Sequence, residues 1–275
     1  MKLLVLLLAL VLRRRDGGWP VWLAREDRHR RFLAALAPAN GVPGWWLAVA
    51  LPALLAALLF AWFEGPAGAL ATLLLGTPLL LWLIGVDSEF RHLDNLLVRG
   101  RMNDRDALAA GAAEAFEHPA GACDGDWFDG LCGRVLERAA LLFAVVFWLT
   151  VLGFGAAVLL VLNRAWLRRD PDAGDWARSL DAALCWIPAR LTVLALALVG
   201  HFGAVIAAAA GRLWRLDDGR ELLGAVAAAA VARETEGRDP PFQHGVDRLE
   251  ALQGLLLRAL AVWLIFAALW VLLPD

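Results

Sequence analysis

The chain contains one lysine, two serines, three cysteines, five histidines and no tyrosine. Each scarcity removes a class of chemistry. Lys2, at the extreme N-terminus, leaves no lysine for a Walker-type phosphate loop, a Schiff base or a buried lysine base. Ser88 and Ser179 lie outside any Gly-x-Ser-x-Gly elbow, so a serine hydrolase is not expected. Cys123, Cys132 and Cys185 show no Cys-x-x-Cys spacing, and an odd count cannot complete a disulfide framework. His29, His92, His118, His201 and His244 are scattered without His-Glu-x-x-His, so neither a metal site nor a cofactor is expected. Positive charge is not in excess either. The 26 basic residues stand against 28 acidic ones, a net charge of −2, which argues against nucleic acid as a partner.

Apolar residues are what the chain has in quantity. They make up 60% of 275 positions, against roughly 45–50% for a soluble globular domain, and the mean hydropathy is +0.61. The lipid bilayer is the expected solvent and principal partner. The excess falls in long runs: 44–63 and 66–86 carry no charge, 139–162 carries none, 251–273 is interrupted only by Arg258, and 188–211 contains Arg190 and His201. Each run of about 20 residues at ~1.5 Å per residue would cross about 30 Å of hydrocarbon. The expected fold is therefore all-α, a polytopic helical membrane protein with about five transmembrane helices and helical cytoplasmic segments.

Only Glu64 and Gly65 separate the first two runs, which predicts a tight hairpin with Trp45, Trp46 and Trp62 near the ends of its first arm. The fourteen tryptophans are expected mainly as interfacial anchors. Residues 1–12 resemble a signal-peptide core but are followed by Arg13, Arg14 and Arg15, which predicts an uncleaved, half-buried helix. Arginine placement puts 1–43, 87–138 and 212–250 on the cytoplasmic side, around a hairpin at 44–86, a pair of spans at 139–211 and a last span at 251–275. Parity requires 139–162 and 188–211 both to cross or neither. Crossing would expose Arg164, Arg168, Arg169 and Arg178 on the far side, yet charge-free length favours it.

The loop 87–138 holds six arginines against eleven acids, and its apolar pattern predicts a small helical subdomain. Within it Arg101, Asn103 and Asp104 precede an alanine-rich stretch, where Asn103 or Asp104 would cap a helix or the group would bind a polar ligand. Arg190 and His201 lie eleven residues apart, within about 20° of one helical face. Ionisable groups in a membrane helix mark either function or a packed polar core, and Asp181 is the expected countercharge for Arg190. Residues 222–232 are too short to span. Flanked by Arg220 and Arg233, they would suit contact with anionic lipid.

Several segments carry a family resemblance: the apolar start, Arg101-Met-Asn-Asp104, Pro119-Ala-Gly-Ala-Cys-Asp124, the run 141–160 with Phe147, Trp148 and Gly153, Leu180-Asp-Ala-Ala-Leu-Cys-Trp-Ile-Pro-Ala-Arg-Leu191, and Leu198-Val-Gly-His201. Together they resemble the AmpE family of inner-membrane proteins linked to regulation of β-lactamase, and more distantly the CbiB/CobD cobinamide-phosphate synthases. The resemblance implies a shared polytopic fold in the bacterial inner membrane, with Asp181, Arg190, Asn103 and Asp104 as inherited polar positions. It also implies a regulatory, signal-modulating role tied to cell-wall peptide recycling rather than an enzymatic one. A small-molecule or protein signalling partner and the oligomeric state are left open. The alternative is an amide-forming membrane enzyme with Asn103, Asp104 and Asp181 around a nucleotide or amine. Against it, Asn163-Arg-Ala-Trp-Leu-Arg-Arg169 lacks the threonine and acid of the synthases' Asn-Thr-Leu-Asp element.

Overall fold

The computed structural model describes residues 2–13, 19–20, 23, 27–37, 41–63, 68–86, 88–170, 174–215, 219–232 and 241–272. The Glu64-Gly65 connection, Arg14 and Arg15, Arg233 and the C-terminal tail lie outside the described residues. Every regular element among those described is a helix. In chain order these are α1 (Lys2–Leu12), α2 (Arg28–Leu36), α3 (Val42–Trp62), α4 (Gly68–Ile84), α5 (Glu89–Arg101), α6 (Arg105–Phe116), α7 (Gly125–Val151), α8 (Phe154–Arg169), α9 (Gly174–Val199), α10 (Phe202–Ala209), α11 (Gly219–Ala232) and α12 (Pro241–Leu272).

Three of them, α3, α9 and α12, are long and apolar enough to cross a membrane, and α4 with α5 adds a fourth if that bent pair is one span. The expectation of about five spans is met only in part, for a local reason in each failing run. The run 139–162 ends as a helix at Val151 and restarts at Phe154, with Gly153 between them at φ 88°. Only glycine takes that backbone without strain. The run 188–211 stops at Val199 and restarts at Phe202, so it does not form one helix.

The chain divides into two compact units: Met1–Ser88 with Ala144–Leu184 and Ile265–Asp275, and Glu89–Phe143 with Cys185–Leu264. In the first unit α8 is the central element, packed against α2, α3 and α4, while α1 lies on α4. Glycines allow the close approach. A Cβ at Gly155 would stand 2.6 Å from that of Ala57, and one at Gly76 would meet the Phe154 ring at 2.6 Å. Phe60 stacks on Phe154 with ring centroids 3.8 Å apart. Within α3, Leu51 N–H reaches five residues back to Trp46 O, forming a π turn over Trp46–Ala50. Pro52 follows at once; it lacks an N–H and its ring crowds the carbonyl four residues earlier, which the wider turn relieves.

In the second unit polar contacts hold the helix ends and the first half of α12. Asp124 accepts from Trp127 N–H at 2.9 Å and starts α7, while the Trp127 indole donates to Pro119 O at 2.9 Å. The first half of α12 is held by charge and amide groups: Arg248 pairs with Asp129, Glu250 with Arg101 at 2.7 Å, and Gln253 donates to Asp94 at 2.7 Å. A Cβ at Gly245 would stand 2.1 Å from the Phe128 ring, so only glycine fits there. α12 therefore runs unbroken through the position where the last span was expected to begin, 32 residues in all, or ~48 Å at the usual helical rise.

Candidate functional site

The residues singled out from sequence fall into separate settings. Asp104 caps α6, its carboxylate accepting from Ala107 N–H at 3.0 Å. Asn103 sits beside it in the left-handed region, φ 57°, a conformation asparagine tolerates better than most residues. Arg101 forms an exposed ion pair with Glu250. The three thus build the corner between α5 and α6. A fully exposed pair of this kind is screened by solvent and adds little, whereas the cap contributes about 1 kcal/mol.

Asp181 does not meet Arg190. Both lie on α9, nine residues apart, or ~13.5 Å along the axis, beyond the reach of an ion pair. Asp181 instead pairs with Arg164 of α8, whose Nε stands 3.3 Å and 3.4 Å from the two carboxylate oxygens. Arg190 serves the backbone. Its Nε donates to Leu213 O at 2.8 Å, another guanidinium nitrogen donates to Arg215 O, and the group lies over the Trp186 ring, 4.8 Å from the centroid. His201 shares no helical stripe with it, because α9 ends at Val199 and the exposed His201 occupies the N-cap position of α10.

Asn163, the first residue after the charge-free run 139–162, is fully buried. Its Oδ1 accepts from the Trp45 indole at 2.9 Å, and its Nδ2 donates to Ala177 O at 3.1 Å. One residue on, Arg164 meets Asp181, one helical turn beyond Ala177. These two neighbouring contacts form a polar seam between α8 and α9, with Trp45 of α3 closing it and Trp176 packed edge-on to Trp45 at 4.7 Å. The only sequence signal was a lone amide at the end of a charge-free run.

A second polar cluster seals the end of α4. The last carbonyls of a helix have no partner within it. Here Arg28 Nε donates to Trp82 O at 2.7 Å, His29 Nε2 donates to the same oxygen at 3.0 Å, and Arg13 reaches Ile84 O at 3.5 Å. Since a carbonyl only accepts, His29 carries its proton on Nε2. Burial, and then the neighbouring Arg28 charge, lowers the His29 pKa to about 4 despite the opposing pull of the Trp82 carbonyl. The imidazole is neutral at pH 7.

Nucleophile chemistry finds little purchase. Burial pushes the Cys132 thiol up to about 12 and raises Cys123 as well. Among the described residues no group of three or more His, Cys, Asp or Glu side chains is placed to hold a metal ion. The chain matches no family model, no curated protein and no solved structure.

Proposed function

We propose that this chain is a multi-pass integral membrane protein of the bacterial inner membrane with a regulatory, signal-modulating role of the AmpE type. One observation carries the membrane part. Along α3 the leucines at 47, 51, 54, 55, 58 and 59 stand exposed, and so do Trp46 and Trp62 at its two ends. The tryptophans are sixteen residues apart, or ~24 Å of helix. An exposed apolar stripe of that length bounded by indoles is unfavourable in water and suits hydrocarbon with an interface at each end. The regulatory part rests on the sequence resemblance. It is supported by the structural work these side chains do locally: Asp104 caps a helix, Asp181 pairs with Arg164 and Arg190 holds backbone carbonyls.

The test has two stages. Membranes from expressing cells are washed with alkaline carbonate, and the chain is expected to stay with the lipid; release into the wash would overturn the membrane reading. The gene is then deleted in its bacterial host and β-lactamase induction by a sub-inhibitory β-lactam is measured. A changed induction threshold, restored by the intact gene, is expected. Unchanged induction, together with saturable nucleotide binding by the detergent-purified chain that Asp104→Ala abolishes, would replace regulation by the enzymatic alternative.

A further inference from the structure

Residues 190–215 belong to one unit and double back on themselves. α9 ends at Val199, α10 runs Phe202–Ala209, and a string of three-residue turns follows: Ala210 N–H to Ala207 O, Arg212 N–H to Ala209 O and Arg215 N–H to Arg212 O. Arg190 donates to the carbonyls of Leu213 and Arg215. Residue 215 has therefore returned to the level of residue 190. The outward limb from 190 to 199 is ~13.5 Å long and α10 is ~12 Å long at helical rise, each close to half of a ~30 Å hydrocarbon layer.

Irregular backbone within hydrocarbon needs donors from the protein, and both ends of this segment have them. At the apex, Arg258 of α12 donates to Val199 O at 2.9 Å. One turn earlier on α12, Leu255 lies so close to Gly200 that a Cβ there would stand 2.9 Å from it. At the base, Arg190 supplies the donors. Two arginines inside otherwise apolar helices are thus accounted for by one device.

We infer that residues 190–215 form a re-entrant hairpin, entering the bilayer from one face, turning at Gly200 and His201 and leaving by the same face. The depth of its base follows from what stands there. Trp214 is 84% exposed and Arg215 is exposed at the level of Arg190, and Asp217, Asp218, Arg220 and Glu221 follow at once. Six charged residues between 212 and 221 of the sequence are too costly to hold in hydrocarbon, and tryptophan favours the interface, whereas the apex has only the exposed His201 and the exposed Arg258, the latter engaged on Val199 O. The base therefore lies at the membrane surface, and the exposed Leu194, Leu198 and Phe202 nearer the apex face lipid. A complete crossing by α9 would instead hold Arg215 and Trp214 inside the layer.

The inference rests on the membrane reading, and its test separates the two. Ile187→Cys, Trp214→Cys and Phe202→Cys, all at exposed positions, are labelled with a membrane-impermeant maleimide in intact cells and in inverted vesicles. Each is read as labelling above the parent chain, which carries Cys123, Cys132 and Cys185. Ile187→Cys and Trp214→Cys are expected to label from the same face, and Phe202→Cys from neither face until detergent is added. Labelling of Phe202→Cys from the face opposite Trp214→Cys, or of Ile187→Cys and Trp214→Cys from opposite faces, would overturn the hairpin while the chain remains in the membrane. Release of the chain by carbonate would overturn the membrane reading itself.

Discussion

Residues 44–63 and 139–162 are written in nearly the same alphabet, charge-free and rich in leucine, valine and alanine. In the first, the leucines of α3 stand exposed along one face while Trp45, Ala48 and Val49 are buried. In the second, almost nothing is exposed: Leu142, Phe143, Val146, Leu149, Val158 and Leu160 are all buried, and the helix breaks at Gly153. A helix that is apolar all round is either a core element or a membrane span. Charge-free length thus reports how dry the surroundings are. Whether lipid or protein supplies the dryness depends on what packs against the run, which length does not encode.

The sharpest way to break that comparison is to place one charge in each run. Val146→Asp puts a carboxylate where no solvent reaches, and an unpaired buried charge costs several kcal/mol. Most of a stability of about 5–15 kcal/mol would be at risk, so little folded protein is expected in detergent. Leu58→Asp, on the exposed face of α3, is expected to impair insertion into membranes yet to leave the detergent-solubilised fold within about 0.5 kcal/mol of the parent. Thermal unfolding in detergent reads both. Equal losses at the two positions would erase the distinction.

What could be read in advance follows from the range of the interactions. Asp104 was legible as a cap because capping acts within one turn of chain. The apolar runs were legible because burial is a property of composition. The partner of Asp181 was not, since Arg164 lies on another helix and the partner expected from sequence, Arg190, sits too far along the same one. Neither break was visible: glycine is common in apolar helices, and nothing local distinguishes Gly153 and Gly200 from Gly155, which stays within a helix. The role of Arg190 needed the return of residues 213 and 215 to its level, a long-range event.

Next in size is the acid response of the cluster that seals the end of α4. With the His29 pKa lowered to about 4 from 6.5, the unfolded chain binds more protons than the folded one between those values. Stability therefore rises with pH across that window and is lost as pH falls from about 6.5 to about 4, by up to ~3 kcal/mol. His29→Gln, which keeps a donor for Trp82 O, is expected to flatten this part of the stability curve measured in detergent. An unchanged acid limb in that variant would show that the α4 end is not sealed as described.

A smaller effect is expected where the two compared runs are tied together. Asn163 closes the buried run, and its Oδ1 accepts from Trp45 at the start of the exposed one. Asn163→Leu keeps the volume but leaves the indole N–H without its acceptor, at about 1–3 kcal/mol. The midpoint of thermal unfolding should fall accordingly, and Trp45→Phe in the same background should recover part of the loss because the orphaned donor is gone. Full additivity of the two changes would mean that the seam does not couple them.

The smallest expected effect is the most diagnostic of lipid. Leu58→Ala removes side-chain carbons that touch little protein, so the cavity and transfer terms that make a buried leucine cost about 2–5 kcal/mol are largely absent. In detergent the change should stay within about 0.5 kcal/mol, against the full buried-leucine loss for Leu160→Ala, whose side chain is enclosed. A loss at Leu58 as large as that at Leu160 would mean that protein covers this face of α3. In that case the exposed leucines would mark an assembly interface rather than a lipid-facing stripe.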